Sequence, residues 1–279
     1  MSRGEDAAPI GAARVIDAHV HLWDRARHPQ GWIEPGSAID RDFAAADLVR
    51  MLGVTGADAA VLVQSTNSLS ETADLLAIAG TAPVAGVVGW VDLTGDVPGQ
   101  LAGLDGRLLR GVRHLAHLDP DPRWLVREDV APGLEALAEA GLAFDLVVRA
   151  AQLPLAVEVA RAHPGLHLVL DHLGNPTLDA LDQWRHDLAA LAAEPNVVAK
   201  VSGQAGFPAP ELSWVLDTAL ELLGPARLMY GSDWPVAELA EGGAADWAAT
   251  VRAVAERLGP DERAALLGGT AAVAYGGAA

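Results

Sequence analysis

The sequence predicts a single-domain (β/α)8 barrel, an α/β fold over residues 14–276, and three observations point to it. Eight short β-rich runs recur along 279 residues, separated by stretches of helical periodicity. The runs are apolar with little alternation, as strands covered on both faces of a parallel sheet should be. No GxGxxG follows the first run, so the competing doubly wound sheet lacks its phosphate-binding signature.

Taken in order, residues 1–13 have no apolar leader segment and read as a disordered tail. Strands are expected at 14–19 (RVIDAH), 58–64 (DAAVLVQ), 84–91 (VAGVVGWV), 110–114 (RGVRH), 143–148 (AFDLVV), 167–172 (HLVLDH), 196–202 (NVVAKVS) and 227–231 (RLMYG). Intervening segments such as ETADLLAIAG and LPLAVEVARAHPG open on Asp, Ser, Glu or Pro neighbourhoods and close on Gly, which are helix stop and start signals. The closing YGGAA reads as a second tail. No internal repeat or linker divides the chain.

Composition narrows the function classes. A hydrophobic content of 51% argues for a globular protein, and no apolar run reaches the roughly 18 residues of a membrane span. The absence of cysteine excludes disulfides, thiolate metal sites and a cysteine nucleophile, and points to the cytoplasm. A net charge of −18, with almost no lysine, disfavours nucleic acid as a partner. A small molecule is the expected partner, and homo-oligomerisation is left open.

Barrel active sites lie at the C-terminal ends of the strands. There the sequence places His19 and His21, Gln64, Trp90, Arg113 and His114, Asp171 and His172, Ser202, and Asp233 of YGSDWP. Alternation puts Asp17, His19 and His21 on one strand face, with Asp17 orienting the imidazoles. Asp233 is the candidate general base, and His19, His21 and His172 are candidates for stabilising an oxyanion. Arg113 offers a planar fork for a carbonyl or hydroxyl, with an ion pair to Asp145 or Asp171 as its alternative. His114 lines the pocket only if the strand ends beside it, and Asp171, opposing His172, reads as structural. Trp23 and Trp90 are expected as pocket walls and Gln64 as a hydroxyl partner, whereas Trp184, Trp214 and Trp247 suit helix cores. His117, beyond strand four, could reach the pocket, with a place outside it favoured, and His28, His163 and His186 are expected to face solvent.

These motifs resemble the amidohydrolase superfamily: HxH after strand one, His after strand six, Asp after strand eight. IDAHVHLWD, VVGWVDL, VLDHLGNP, NVVAKVSG and LMYGSDWPV are similar to the sugar-lactonase branch of its amidohydrolase-2 group. The resemblance implies opening of a sugar-acid lactone, of L-fucono or L-rhamnono type, to the hydroxy acid. Binuclear members use a bridging Lys or Glu after strand four and a His after strand five; neither is present here. The ligand set implied is therefore mononuclear, with His19, His21 and Asp233 holding one Zn²⁺ or Mn²⁺, or no metal at all. The alternatives are a metal-dependent decarboxylase of the same group and a catalytically silent barrel that binds a sugar acid.

Overall fold

Apolar strands with helix-forming spacers give the expected alternation. The computed structural model describes residues 14–104 and 106–276, so the tail expected over residues 1–13 lies outside them. The strands are β1 (Ile16–Val20), β2 (Ala59–Val63), β3 (Val84–Gly89), β4 (Leu109–His114), β5 (Ala143–Leu146), β6 (Leu168–Leu170), β7 (Val197–Val201) and β8 (Leu228–Tyr230). All are parallel, and they pair in sequence order into one eight-stranded sheet. The helices between them are α1 (Ala45–Thr55), α2 (Leu69–Ala79), α3 (Val97–Ala102), α4 (Ala131–Glu139), α5 (Leu153–Ala162), α6 (Leu181–Ala192) and α7 (Ala209–Leu223). After β8 come α8 (Gly243–Ala255), α9 (Pro260–Ala264) and α10 (Thr270–Ala274). The chain is a single barrel domain. Among the described residues no helix is long and apolar enough to cross a membrane.

Local chemistry sets the helix ends. Ser68 caps α2 by accepting from the Glu71 amide, and Asp96 caps α3 by accepting from Gly99. Gly56 closes α1 with φ 69°, where a side chain would be strained. Buried Leu153, Ala156, Val157, Val159 and Ala160 make the apolar stripe that seats α5 against the sheet. Trp184 and Trp247 are buried as expected, and their indole N–H groups donate to the carbonyls of Leu173 and Gly231 just beyond β6 and β8.

The interior is layered. At the bottom, Ile16, Ala18, Val61, Val63, Val88, Ala143, Val169 and Met229 pack with Ala271 and Tyr275. Tyr275 is therefore not part of a tail: its hydroxyl contacts both Asp145 carboxylate oxygens, at 3.0 and 2.8 Å. Two residues further along the same strand faces stand Asp145, Asp171 and Lys200, all fully buried.

The sheet closes through the segment after β8. His21 N donates to Trp234 O (2.8 Å) and Asp233 N donates to His19 O (2.9 Å). Closing the barrel thus brings Asp233 beside both histidines of β1. The register of β1 also shifts between Asp17 and Val20, so regular alternation fails there. Ile16 and Ala18 join the inner apolar layer, while Asp17 serves the seam. Its Oδ1 accepts from the amides of Ser232 (2.8 Å) and His19 (3.3 Å), not from an imidazole, which corrects its expected orienting role.

Candidate active site

His19 stands at the centre of the rim, fully buried. Its Nδ1 is 3.2 Å from Lys200 Nζ and 3.3 Å from Asp171 Oδ1. Its Nε2 is 3.1 Å from His21 Nε2, 3.7 Å from Asp233 Oδ1 and 3.3 Å from Arg113 Nη1. His21 Nδ1 donates to Val63 O at 2.8 Å, which turns Nε2 toward His19 and toward Asp233 Oδ1, 3.5 Å away. The guanidinium of Arg113 can only donate, so His19 Nε2 presents a lone pair.

Two of these groups depend on unusual backbone. His172 and Asp233 have φ of 55° and 59°, in the left-handed region that non-glycine residues seldom adopt. The turn at His172 lets Asp171 and His172 both face the interior, so the expected opposition of the two is not observed. A Cβ on Gly203 would sit 2.8 Å from the His172 ring, and one on Gly231 2.8 Å from His19 Cβ, so both imidazoles occupy space that only glycine leaves free. His172 Nδ1 lies 2.9 Å from Ser202 Oγ.

A buried ionic layer supports the cluster. Lys200 Nζ bridges Asp145 Oδ2 (2.5 Å) and Asp171 Oδ1 (2.9 Å), and Arg113 Nη1 donates to Asp171 Oδ2 (2.8 Å). Burial opposes ionisation of Asp171, but Lys200, His19 and Arg113 together outweigh it and hold the carboxyl well below the usual carboxylate range. Burial pushes Asp145 up to about 6 despite Lys200. Burial also holds His19 well below its ordinary value, against the pull of Asp171, and lowers His172 in the same way. Both rings are neutral near pH 7, ready to act as ligands or hydrogen-bonding groups.

The nitrogen and oxygen atoms of His19, His21 and Asp233 lie within 4.8 Å of one another. Bonds of about 2.1 Å to a tetrahedral Zn²⁺ put neighbouring ligand atoms roughly 3.4 Å apart, and the separations of 3.1, 3.5 and 3.7 Å match. Two imidazole nitrogens facing a carboxylate oxygen suit a divalent cation on charge as well. A second grouping, His19, Asp171 and His172, offers less, because Asp171 is already neutralised by Lys200 and Arg113.

A cavity of about 500 Å³ opens on this cluster. His21, Arg113, His172 and Asp233 line it with Trp32, His117, Val147, Arg149 and Asn175. Several residues expected in the pocket are elsewhere. Trp23 is buried against Phe43 and donates to Arg41 O (2.8 Å); Trp32, from the long loop after β1, stands on the cavity instead. Trp90 Nε1 points at His114 Nδ1 (3.3 Å), and His114 stacks on Trp124 at 3.5 Å and bonds Asp119 (2.9 Å). Gln64 donates to Arg113 O (3.0 Å), bracing β2 against β4. The fork of Arg113 is engaged by Asp171 and the Gln64 carbonyl, the ion-pair alternative read from the sequence. His117 lines the cavity rather than lying outside it. His28 is buried and pairs with Asp74 (2.7 Å), so it does not face solvent.

The comparisons with known proteins agree with this geometry. The amidohydrolase family pattern matches residues 16–277. The chain is similar to an L-fucono-1,5-lactonase of Burkholderia ambifaria, 37% identical over 93% of this chain and 94% of that one. It is likewise 37% identical to an L-fucono-1,5-lactonase of Burkholderia multivorans, over 95% of this chain and 97% of that one. A solved amidohydrolase from Burkholderia multivorans with bound zinc superposes with a TM-score of 0.89 at 37% identity, covering 95% of this chain and all of that one.

Proposed function

The chain belongs to the amidohydrolase family, and we propose from this that it opens sugar-acid lactones of the L-fucono-lactone type to their hydroxy acids. The observation that carries the reading is Asp233 on the cavity floor, its Oδ1 3.5 and 3.7 Å from the His21 and His19 Nε2 atoms.

Asp233 is the general base. It takes a proton from water as the water oxygen bonds to the lactone carbonyl carbon, then returns that proton to the ring oxygen as the ester C–O bond breaks. In the tautomer whose Nδ1 accepts from Ser202 Oγ, 2.9 Å away, the other nitrogen of His172 carries its proton and supplies a donor for the developing oxyanion. Arg113 positions Asp171 and His19; substrate contact is secondary for it. His19, His21 and Asp233 would hold one divalent ion, Zn²⁺ or Mn²⁺, and such an ion supplies Lewis-acid polarisation of the carbonyl. The decarboxylase alternative is not favoured, because two relatives at 37% identity over nearly the full chain are L-fucono-1,5-lactonases.

A pH-indicator assay tests the reading, because each hydrolysis releases a proton. The expected order of kcat/KM is L-fucono- and L-rhamnono-lactones above a 2-pyrone dicarboxylate and above a p-nitrophenyl ester. A tenfold preference for either of the last two would reject the sugar-lactone assignment. Elemental analysis of protein purified without added metal should give one equivalent or less; two tightly held equivalents would reject the mononuclear ligand set.

A further inference from the structure

His117 and Arg149 share the cavity with the catalytic cluster, yet the chemistry above uses neither. Their main chains are pinned together. His117 N donates to Val147 O (3.2 Å), and its own carbonyl accepts from Arg149 Nε (2.7 Å). Gln152 accepts from Arg149 N (2.9 Å) and donates to the carbonyls of Ala116 (3.3 Å) and Pro122 (3.0 Å), so the loop after β4 is tied to the end of β5. The side-chain ends are different. His117 Nδ1 is buried with no hydrogen-bond partner. Arg149 lines the cavity with an exposed side chain; its Nε is held by His117 O, and among the described residues its Nη groups make no ion pair.

A rigid backbone that presents an unpaired His117 Nδ1 and the Arg149 Nη groups to a ligand cavity is a recognition site held ready. Burial drops His117 to about 4, with Arg113 and His172 adding to the effect, so the ring is neutral during turnover and offers one N–H and one lone pair. A hydroxyl, which both donates and accepts, matches that pair; a carboxylate can only accept. Arg149 adds donors alone. We propose that His117 and Arg149 form the subsite that recognises neighbouring ring hydroxyls of the sugar lactone, one hydroxyl on His117 and the next accepting from Arg149. The inference rests on the lactonase reading and names the residues that make the enzyme prefer a sugar lactone to a plain one.

The test crosses two variants with two substrates. L-fucono-1,5-lactone is compared with δ-hexalactone, which keeps the six-membered ring and methyl but lacks the ring hydroxyls. Wild type should favour the sugar lactone in kcat/KM, and His117→Phe or Arg149→Met should cut that preference about tenfold or more, mainly through KM. Circular-dichroism melting of each variant separates this from misfolding. A proportional fall on both substrates, or an unchanged preference, would overturn the subsite while leaving the lactonase reading intact. If wild type opens neither lactone, the lactonase reading fails, and the subsite fails with it.

Discussion

On the β1, β6 and β8 side of the rim, His21, His172 and Asp233 line the cavity over a fully buried His19. On the β2, β3 and β4 side, Gln64, Trp90 and His114 turn their polar atoms toward one another and toward backbone carbonyls. Both sides carry the same kinds of residue at equivalent strand ends. They differ in backbone. The first side has left-handed turns at His172 and Asp233, whereas register shifts occur on both sides, in β1–β2 and in β2–β3 and β3–β4. On the second, no described non-glycine residue at the ends of β2, β3 or β4 has positive φ, and the polar groups find partners within the wall. Left-handed backbone at a non-glycine residue costs about 1 kcal/mol or more, and it persists where surrounding contacts over-determine it. The left-handed turns coincide with the side whose polar groups face the cavity.

If the first side is held from below by the ionic layer, removing its central cation should have the largest effect. Lys200→Met leaves Asp145 and Asp171 buried with one cation fewer, and is expected to lose about 3–5 kcal/mol of stability. Pairing it with Asp145→Asn should restore part of that loss. Urea unfolding measures both. A Lys200→Met protein as stable as wild type would show that the cluster does not depend on this layer.

Asp233→Asn comes next. Asparagine fills the same space but cannot take a water proton, so kcat should fall by roughly 10²-fold or more with an unchanged melting curve. Near wild-type turnover in a folded variant would move the working chemistry away from the first side.

Much of the first side was legible in the sequence. HxH, DH and SDWP at successive strand ends mark the residues that meet. The left-handed turns were not, since φ at His172 and Asp233 depends on how Gly203, Gly231 and the β1–β8 seam pack. Lys200 carried an overlooked signal: it is the only lysine among 279 residues, in the middle of the apolar run NVVAKVS. A cation there is buried and must be paired, which predicts inward carboxylates on neighbouring strands. On the second side, strand-end position promised too much. Trp90, His114 and Gln64 pair with one another, with Asp119 or with the backbone, and that depends on partners from other elements. The sequence allows His117 to reach the cavity it lines but weighs against it, because it lies beyond its strand, where period-two reasoning no longer applies.

His117 is the polar group after β4 that faces the cavity unpaired, and pH tests its burial. Its folded value of about 4 lies below the ordinary 6.5. The unfolded chain therefore binds a proton as pH falls through 6.5, and the folded chain does not until about 4. This group's contribution to stability is full above pH 6.5 and is lost toward pH 4, by at most about 3 kcal/mol. His117→Phe removes that dependence, so its stability relative to wild type should rise as pH drops from 7 to 4. A difference independent of pH would place the ring in water.

The smallest effect is expected at Trp90, where the second side is most open to challenge. An indole at a strand end beside a sugar site invites a stacking role. In the structure its N–H points at His114 Nδ1, 3.3 Å away, while His114 is held by the Trp124 face and by Asp119. Trp90→Phe keeps most of the apolar bulk and removes one weak hydrogen bond, so stability should fall by about 1 kcal/mol. KM and kcat for L-fucono-1,5-lactone should stay within about twofold, since no ring hydroxyl loses a partner. A tenfold rise in KM would mean that the indole reaches bound substrate, that the β2–β4 wall rearranges on binding, and that strand-end position alone is a better guide to function than backbone geometry.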